Sequence, residues 1–161
     1  HDIAEAYRVC DKIIVFDSGK ASNIREKNLL FENPLSFAEA KLTGCKNISK
    51  AKKLEDNLIL AEDWDLKLKC SSNNRDTDYI AIRSHNIKLF KGQENDENVF
   101  TMSIENIVEN PFDYTLYIRS IKSNKSNLIH FTISKEEMVF DINEKIKVKF
   151  EPEYLFTFKG E

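Results

Sequence analysis

Lys145-Ile146-Lys147-Val148-Lys149-Phe150 alternates lysine with apolar side chains through six residues. Successive side chains of an extended chain point to opposite faces, so this run needs one face in a core and the other in water. No other stretch constrains the fold so tightly. Leu66, Leu68 and Cys70 alternate with Lys67 and Lys69 in the same way. Leu116 and Ile118 alternate with Tyr117 and Arg119, and Leu128 and His130 alternate less cleanly with Ile129 and Phe131. Further strand candidates lie at 48–54, 57–61, 79–83, 87–90 and 99–108, separated by polar turns. Ser123 to Asn127 is hairpin-turn material, and Ser134-Lys135-Glu136-Glu137 has capping-box spacing that opens a short helical turn. Residues 71–78 read as a surface loop and 92–98 as a flexible one. Many short antiparallel strands at this spacing predict a mainly β fold, a small closed barrel or a sandwich.

The first 46 residues have a different character. Ile3, Ala6, Tyr7 and Cys10 form the apolar stripe of a helix, with Asp2 placed to cap it. Ile13-Ile14-Val15-Phe16 is an unbroken apolar run, the pattern of a strand covered on both faces, and Asp17-Ser18-Gly19 follows as a tight turn. A short helix over 24–33 ends at Asn33-Pro34. A second helix follows, with Ser36 as cap, Gly44 beyond its end, and Leu35, Ala38 and Leu42 on one face. From about Asn47 helical spacing gives way to alternation. A helix feeding a buried strand is half of an α/β unit whose remaining sheet is not in this sequence. The chain therefore reads as a piece of a larger protein, beginning without an initiator methionine or signal peptide.

Charge and cysteine usage narrow the function. A net charge of −3 and a pI near 5.7 argue against a general nucleic-acid or anionic-membrane binder. Aromatics among lysines over 145–158 are reminiscent of a single-strand-binding platform. Yet the even spacing of Phe150, Tyr154, Phe156 and Phe158 points them to one buried face, and Glu151 and Glu153 interrupt any positive track. No nucleic acid partner is expected. Cys10, Cys45 and Cys70 are far apart, without a C-x-x-C pair, and are expected to be reduced thiols, Cys10 as a small core residue on the helix stripe. His85 and His130 lack bracketing ligands, so no metal site is read. Trp64 is expected to pack on the barrel.

His1-Asp2-Ile3-x-Glu5-Ala6, a short helix, then Cys10-Asp11-Lys12-Ile13-Ile14-Val15-Phe16 and a turn with Gly19-Lys20 resembles the end of the ATP-binding subunit of an ABC importer. The resemblance makes His1 the switch histidine, which touches the γ-phosphate of ATP in an intact subunit. Ile82-Arg83-Ser84-His85-Asn86-Ile87 is similar to the Gly-Ile-Arg-Pro-Glu-x-Ile signature of the C-terminal TOBE or MOP barrels of such subunits, with Ala81 and Ser84 in place of its Gly and Pro. Leu42-Thr43-Gly44-Cys45-Lys46-Asn47-Ile48 resembles the linker of molybdate-type members. Together these imply an OB-like barrel over 47–161, preceded over 1–46 by an α/β remnant of the nucleotide-binding domain.

The resemblance further implies ATP and Mg²⁺ as cofactors of an intact parent. Its partners would be permease subunits and a second copy of the chain, at the cytoplasmic face of the membrane. No G-x-x-x-x-G-K-[ST] phosphate loop is present, so the chain by itself is expected not to hydrolyse ATP. Barrels of this kind can hold tetrahedral oxyanions such as molybdate or tungstate between copies. The segment Thr101-Met102-Ser103-Ile104-Glu105-Asn106 lies where such a site belongs, making Thr101, Ser103 and Asn106 candidate ligands. Against it stand Glu105, close enough to repel an anion, and the lack of an adjoining arginine. The alternative is a free-standing oxyanion-binding or OB-type oligonucleotide-binding module.

Overall fold

The computed structural model describes residues 2–71, 77–92 and 96–160. His1 and parts of both expected loops, 72–76 and 93–95, lie outside the described residues.

The N-terminal segment opens with helix α1 (Ile3–Val9), where the Asp2 carboxylate accepts from the amides of Ala4 and Glu5 at 2.9 and 3.0 Å. None of its residues is buried, and Cys10 is a half-buried C-cap, not the core residue expected. The apolar run after it is likewise not one buried strand. It divides between β1 (Lys12–Ile13), paired with β4 (Arg25–Glu26), and β2 (Phe16–Asp17), paired with β3 (Lys20–Ala21). Val15 alone of the four is buried, while Phe16 is 76% exposed. The Ser22 hydroxyl, accepting from the Val15 amide at 3.0 Å, closes the ribbon where a longer strand would continue. Ser18 and Gly19 both have positive φ, 47° and 78°, as a two-residue primed turn requires.

Helices α2 (Lys27–Glu32) and α3 (Phe37–Leu42) follow. Ser36 caps α3 through the Glu39 amide, and Gly44 ends it at φ 82°. Its buried face carries Glu39 and Ala40, with Thr43 just beyond, in place of the expected Leu35, Ala38 and Leu42. The reason is an ion pair: Arg25 reaches Glu39 at 2.7 Å, and the same carboxylate oxygen accepts the Leu35 amide at 2.7 Å.

The strands that follow form two antiparallel five-stranded sheets. The first contains β5 (Asn47–Glu55), β6 (Leu58–Ala61), β7 (Leu66–Lys69), β8 (Tyr79–Ile82) and β14 (Phe156–Phe158), in the order β14-β8-β5-β6-β7. The second contains β9 (Ile87–Leu89), β10 (Val99–Glu109), β11 (Asp113–Ser120), β12 (Ile129–Ser134) and β13 (Lys145–Phe150), in the order β12-β11-β10-β13-β9. Their apolar faces meet in one core that includes Leu68, Ile80, Ile82, Met102, Ile104, Leu116, Ile118, Val148 and Phe150. Each such side chain contributes about 1.5–3 kcal/mol on burial. Trp64 is buried in this core, packed against Phe150. The Glu137 amide donates to the Ser134 hydroxyl, one half of a capping box, and that hydroxyl donates to the Glu137 carboxylate, but only a turn follows.

Two asparagines stitch the sheets into a nearly closed barrel. Asn47, at the start of β5, donates to the His130 carbonyl and accepts its amide, both at 2.7 Å, as a neighbouring strand would. Asn98 does the same for Lys69 on edge strand β7, at 2.7 and 2.8 Å, and also donates to the Phe150 carbonyl at 2.9 Å. Each amide side chain mimics a peptide group where the two sheets' own ladders end.

Phe156 and Phe158 belong to a smaller cluster with Ala40, Cys45 and Ala81 on the outside of the first sheet. The Pro152–Tyr154 turn separates them from Phe150 and leaves Tyr154 exposed, so the four aromatics do not share one face as their spacing suggests. Ala40 and Ala81 are fully buried where α3 lies on β8, which is why a small residue stands at position 81. All three cysteines are free. Burial pushes the Cys70 thiol up to about 12 and raises Cys45, where the Arg83 charge opposes the shift. Alkylation of the native protein near pH 8 should therefore modify Cys10 alone, and all three thiols only after denaturation, as read by intact mass. Native labelling of Cys45 or Cys70 would contradict the packing.

Among the described residues, no helix is long and apolar enough to cross a membrane.

Candidate functional site

Two places in this fold concentrate polar chemistry. One is the joint between the N-terminal segment and the barrel, centred on Arg83. Strand β8 ends there, and the chain turns through a 3-10 turn at Ser84–Asn86 into the second sheet. Arg83 leaves that corner toward the helices. Its Nη1 donates to the Thr43 carbonyl at 2.9 Å, and its Nη2 donates to the Thr43 hydroxyl at 3.0 Å and to the Phe31 carbonyl. Those carbonyls lie at the C-terminal ends of α3 and α2, where the helix dipole favours a cation. One guanidinium thus pins both helices to the barrel. Beside it, His85 is held below the usual imidazole range, by desolvation and then by the charges of Arg83 and Lys88.

The other place is the outer face of the second sheet. Thr101 and Ser103 both lie on β10, half-buried, with their core-facing neighbours Met102 and Ile104 fully buried. Strand register sets Thr101 opposite Lys147 and Ser103 opposite Lys145 on one side, and Ser103 opposite Arg119 on the other. The expectation that no arginine adjoins this segment is therefore corrected: Arg119 arrives from β11. Its Nη1 donates to the Asn124 carbonyl at 2.8 Å, while its buried Nε has no hydrogen-bond partner among the described residues. Register shifts between Ile104 and Asn106, which makes Glu105 the extra residue of a bulge. Asn106 follows the bulge opposite Tyr117, its side-chain oxygen accepting the Ile107 amide at 2.8 Å. Two hydroxyls and three cations, Arg119, Lys145 and Lys147, share this face, with Asn106 beyond the bulge.

His130 lies on β12 beside Tyr117, ring centroids 4.6 Å apart, and burial and Lys46 lower its pKa. No group of three His, Cys, Asp or Glu residues suited to a metal occurs among the described residues. His1, the expected phosphate contact, lies outside them.

Comparison with known proteins bears on these places unequally. No family model matches the sequence. The Fe(3+) ions import ATP-binding protein FbpC of Haemophilus influenzae strain 86-028NP is 28% identical over 107 residues, 66% of this chain and 30% of that protein. FbpC 2 of strain ATCC 51907 matches to the same extent. The chain is similar to the ATP-binding subunit of an ABC importer. The match spans less than a third of the length of those relatives. In structure, the cytoplasmic molybdate-binding protein ModG, solved with molybdate bound, superposes with a TM-score of 0.54 at 12% identity. That alignment covers 70% of this chain and 94% of ModG. The likeness establishes the fold, a mainly β, OB-like barrel.

Proposed function

We propose that this chain is the C-terminal regulatory and dimerisation region of an importer's ATP-binding subunit. Residues 1–46 would be the end of the nucleotide-binding domain and 47–161 the TOBE/MOP-like barrel. The observation that carries this reading is the 28% identity over 107 residues with importer ATP-binding proteins. The Arg83 joint supports it as well, since a barrel can bias a nucleotide domain only through a firm connection. In the intact parent, residues upstream would hold ATP and Mg²⁺, and His1 would contact the transferring phosphoryl group. Permease subunits and a second copy of the chain would be its partners, at the inner face of the cell membrane.

The imported solute in this reading is molybdate or a related oxyanion, sensed on the outer face of the second sheet by Thr101 and Ser103 with Arg119 and Lys145. Asn106, proposed with them from sequence, would donate through its side-chain nitrogen, its oxygen already accepting the Ile107 amide. The relatives' name favours a second reading of the solute, Fe(3+) ions, in which this face holds no oxyanion. Melting curves with molybdate, tungstate and sulfate decide between them. Mass action should raise the midpoint with molybdate or tungstate, and Arg119→Met with Ser103→Ala should abolish the rise. Curves unmoved by all three anions would remove the oxyanion reading and leave the importer reading standing.

A further inference from the structure

The outer face of the second sheet carries more than its hydroxyls and cations. Strand register lays two rows of side chains across it. The first runs His130, Tyr117 and Asn106 over β12, β11 and β10. The second runs Arg119, Ser103 and Lys145 over β11, β10 and β13, with Thr101 opposite Lys147 next to it. Leu116, Ile118, Ile129 and Phe131 are buried in the core, so their alternating neighbours Tyr117, Arg119 and His130 point outward. The bulge completes the arrangement. With Glu105 taken out of the register, Ser103 and Asn106 lie three residues apart yet face the same way, opposite Arg119 and Tyr117. On β11 the two rows are two residues apart, about 7 Å along the strand.

The first row is aromatic, with an amide at its end. The His130 and Tyr117 rings touch, centroids 4.6 Å apart, and both residues are half-buried, so each keeps part of its ring toward water. Asn106 is exposed beside them, its oxygen held by the Ile107 amide and its nitrogen left to donate. The second row is cationic. Arg119 spends Nη1 on the Asn124 carbonyl, and Lys145 stands exposed. Lys46 adds a positive charge near His130. Hydroxyls beside an arginine and a lysine suit the several oxygens of a tetrahedral phosphate. An aromatic row one step away suits a base joined to that phosphate through a ribose, since stacking accepts any base. Glu105, exposed on the bulge, disfavours the extra charge of a polyphosphate tail. We propose that this face binds a nucleoside 5′-monophosphate, its base stacked on Tyr117 and His130 beside the Asn106 amide, its phosphate held by Ser103, Arg119 and Lys145. The proposal rests on the cation row that the oxyanion reading also uses, and adds the body that the anion carries. It needs neither an upstream nucleotide domain nor a second copy of the chain.

Backbone amide resonances titrated with AMP, adenosine, inorganic phosphate and molybdate test this. AMP should shift Tyr117, His130 and Ser103 together and saturably. Adenosine and phosphate should each bind about tenfold more weakly, adenosine moving Tyr117 and His130, phosphate moving Ser103 and Arg119. Tyr117→Leu should weaken AMP about tenfold and leave phosphate unchanged, a split that loss of folding would not give. Lys145→Gln, at an exposed position, should weaken AMP and phosphate alike, about fivefold. AMP binding no better than phosphate, or undiminished AMP affinity in Tyr117→Leu, would overturn the proposal while leaving molybdate free to bind as the oxyanion reading expects. Saturable shifts with AMP and none with molybdate would sustain the proposal and remove the bare oxyanion. Silence with all four probes would remove both.

Discussion

Replacing Glu39 with alanine is expected to release residues 25–43 from their packing while the barrel stays folded. The Glu39 and Arg25 side chains are 3% and 13% exposed, so their 2.7 Å contact is made largely out of water. Removing one partner of a buried pair leaves the other as an uncompensated charge, which costs about 3–5 kcal/mol. Arg25 has further duties, donating to the carbonyls of Leu29 and Asn33 at 3.3 and 3.1 Å, so its displacement also loosens the end of α2. The Leu35 amide loses its acceptor at the same time. Glu39→Gln keeps an acceptor for that amide and should do less damage. A paired Arg25→Met, Glu39→Met chain should recover most of the loss, since apolar replacements of buried pairs are often close to neutral. Hydrogen exchange over 25–43, set against exchange in β10 and β11, measures this. Unchanged protection of the helices in Glu39→Ala would show that the pair does not hold them.

Asn98→Ala should destabilise the barrel itself by about 3 kcal/mol, seen as a lower urea midpoint. The substitution strips partners from the Lys69 amide, the Lys69 carbonyl and the Phe150 carbonyl. It also places alanine at φ 57°, a region that asparagine tolerates far better. Asn98→Gly separates the two effects, recovering only the backbone strain. Asn98→Asp keeps the acceptor for the Lys69 amide and loses both donated bonds, so it should fall near alanine. Asn47→Ala, which orphans only the two His130 groups, should cost less than Asn98→Ala. A loss in Asn98→Ala of no more than about 0.5 kcal/mol, the scatter of ordinary surface changes, would mean the seam is held some other way.

The parts of this fold legible in the sequence are those specified by neighbours a few residues apart. Lys145 to Phe150 and Leu66 to Lys69 alternate in the chain and alternate in burial. The caps at Asp2 and Ser36 depend on amides two or three residues on, and both formed. What stayed hidden depends on distant partners. The face α3 buries follows from Arg25, fourteen residues before Glu39, and apolar spacing within a six-residue helix carries no sign of it. The Ile13 to Phe16 run has the composition of a covered strand, but only the Ser22 hydroxyl shows where pairing stops.

The outer-face site divides the same way. Thr101 and Ser103 were legible as strand hydroxyls, while Arg119 came from the next strand. Counting outward from Glu109 opposite Tyr114 sets Ser103 against Ser120; the bulge at Glu105 slips the register by one and delivers Arg119. A one-residue slip exchanges core face for solvent face, so the bulge decides which side chain the hydroxyls meet. The asparagine stitches were equally silent, since nothing local distinguishes a seam-closing amide from a turn residue.

Reading the coding sequence immediately upstream of His1 tests the central claim most directly. The account predicts an open reading frame in phase with this one, carrying a G-x-x-x-x-G-K-[ST] phosphate loop and, beyond it, an L-S-G-G-Q-type signature before His1. An in-phase frame that lacks both motifs, or a start codon directly at this boundary, would contradict it.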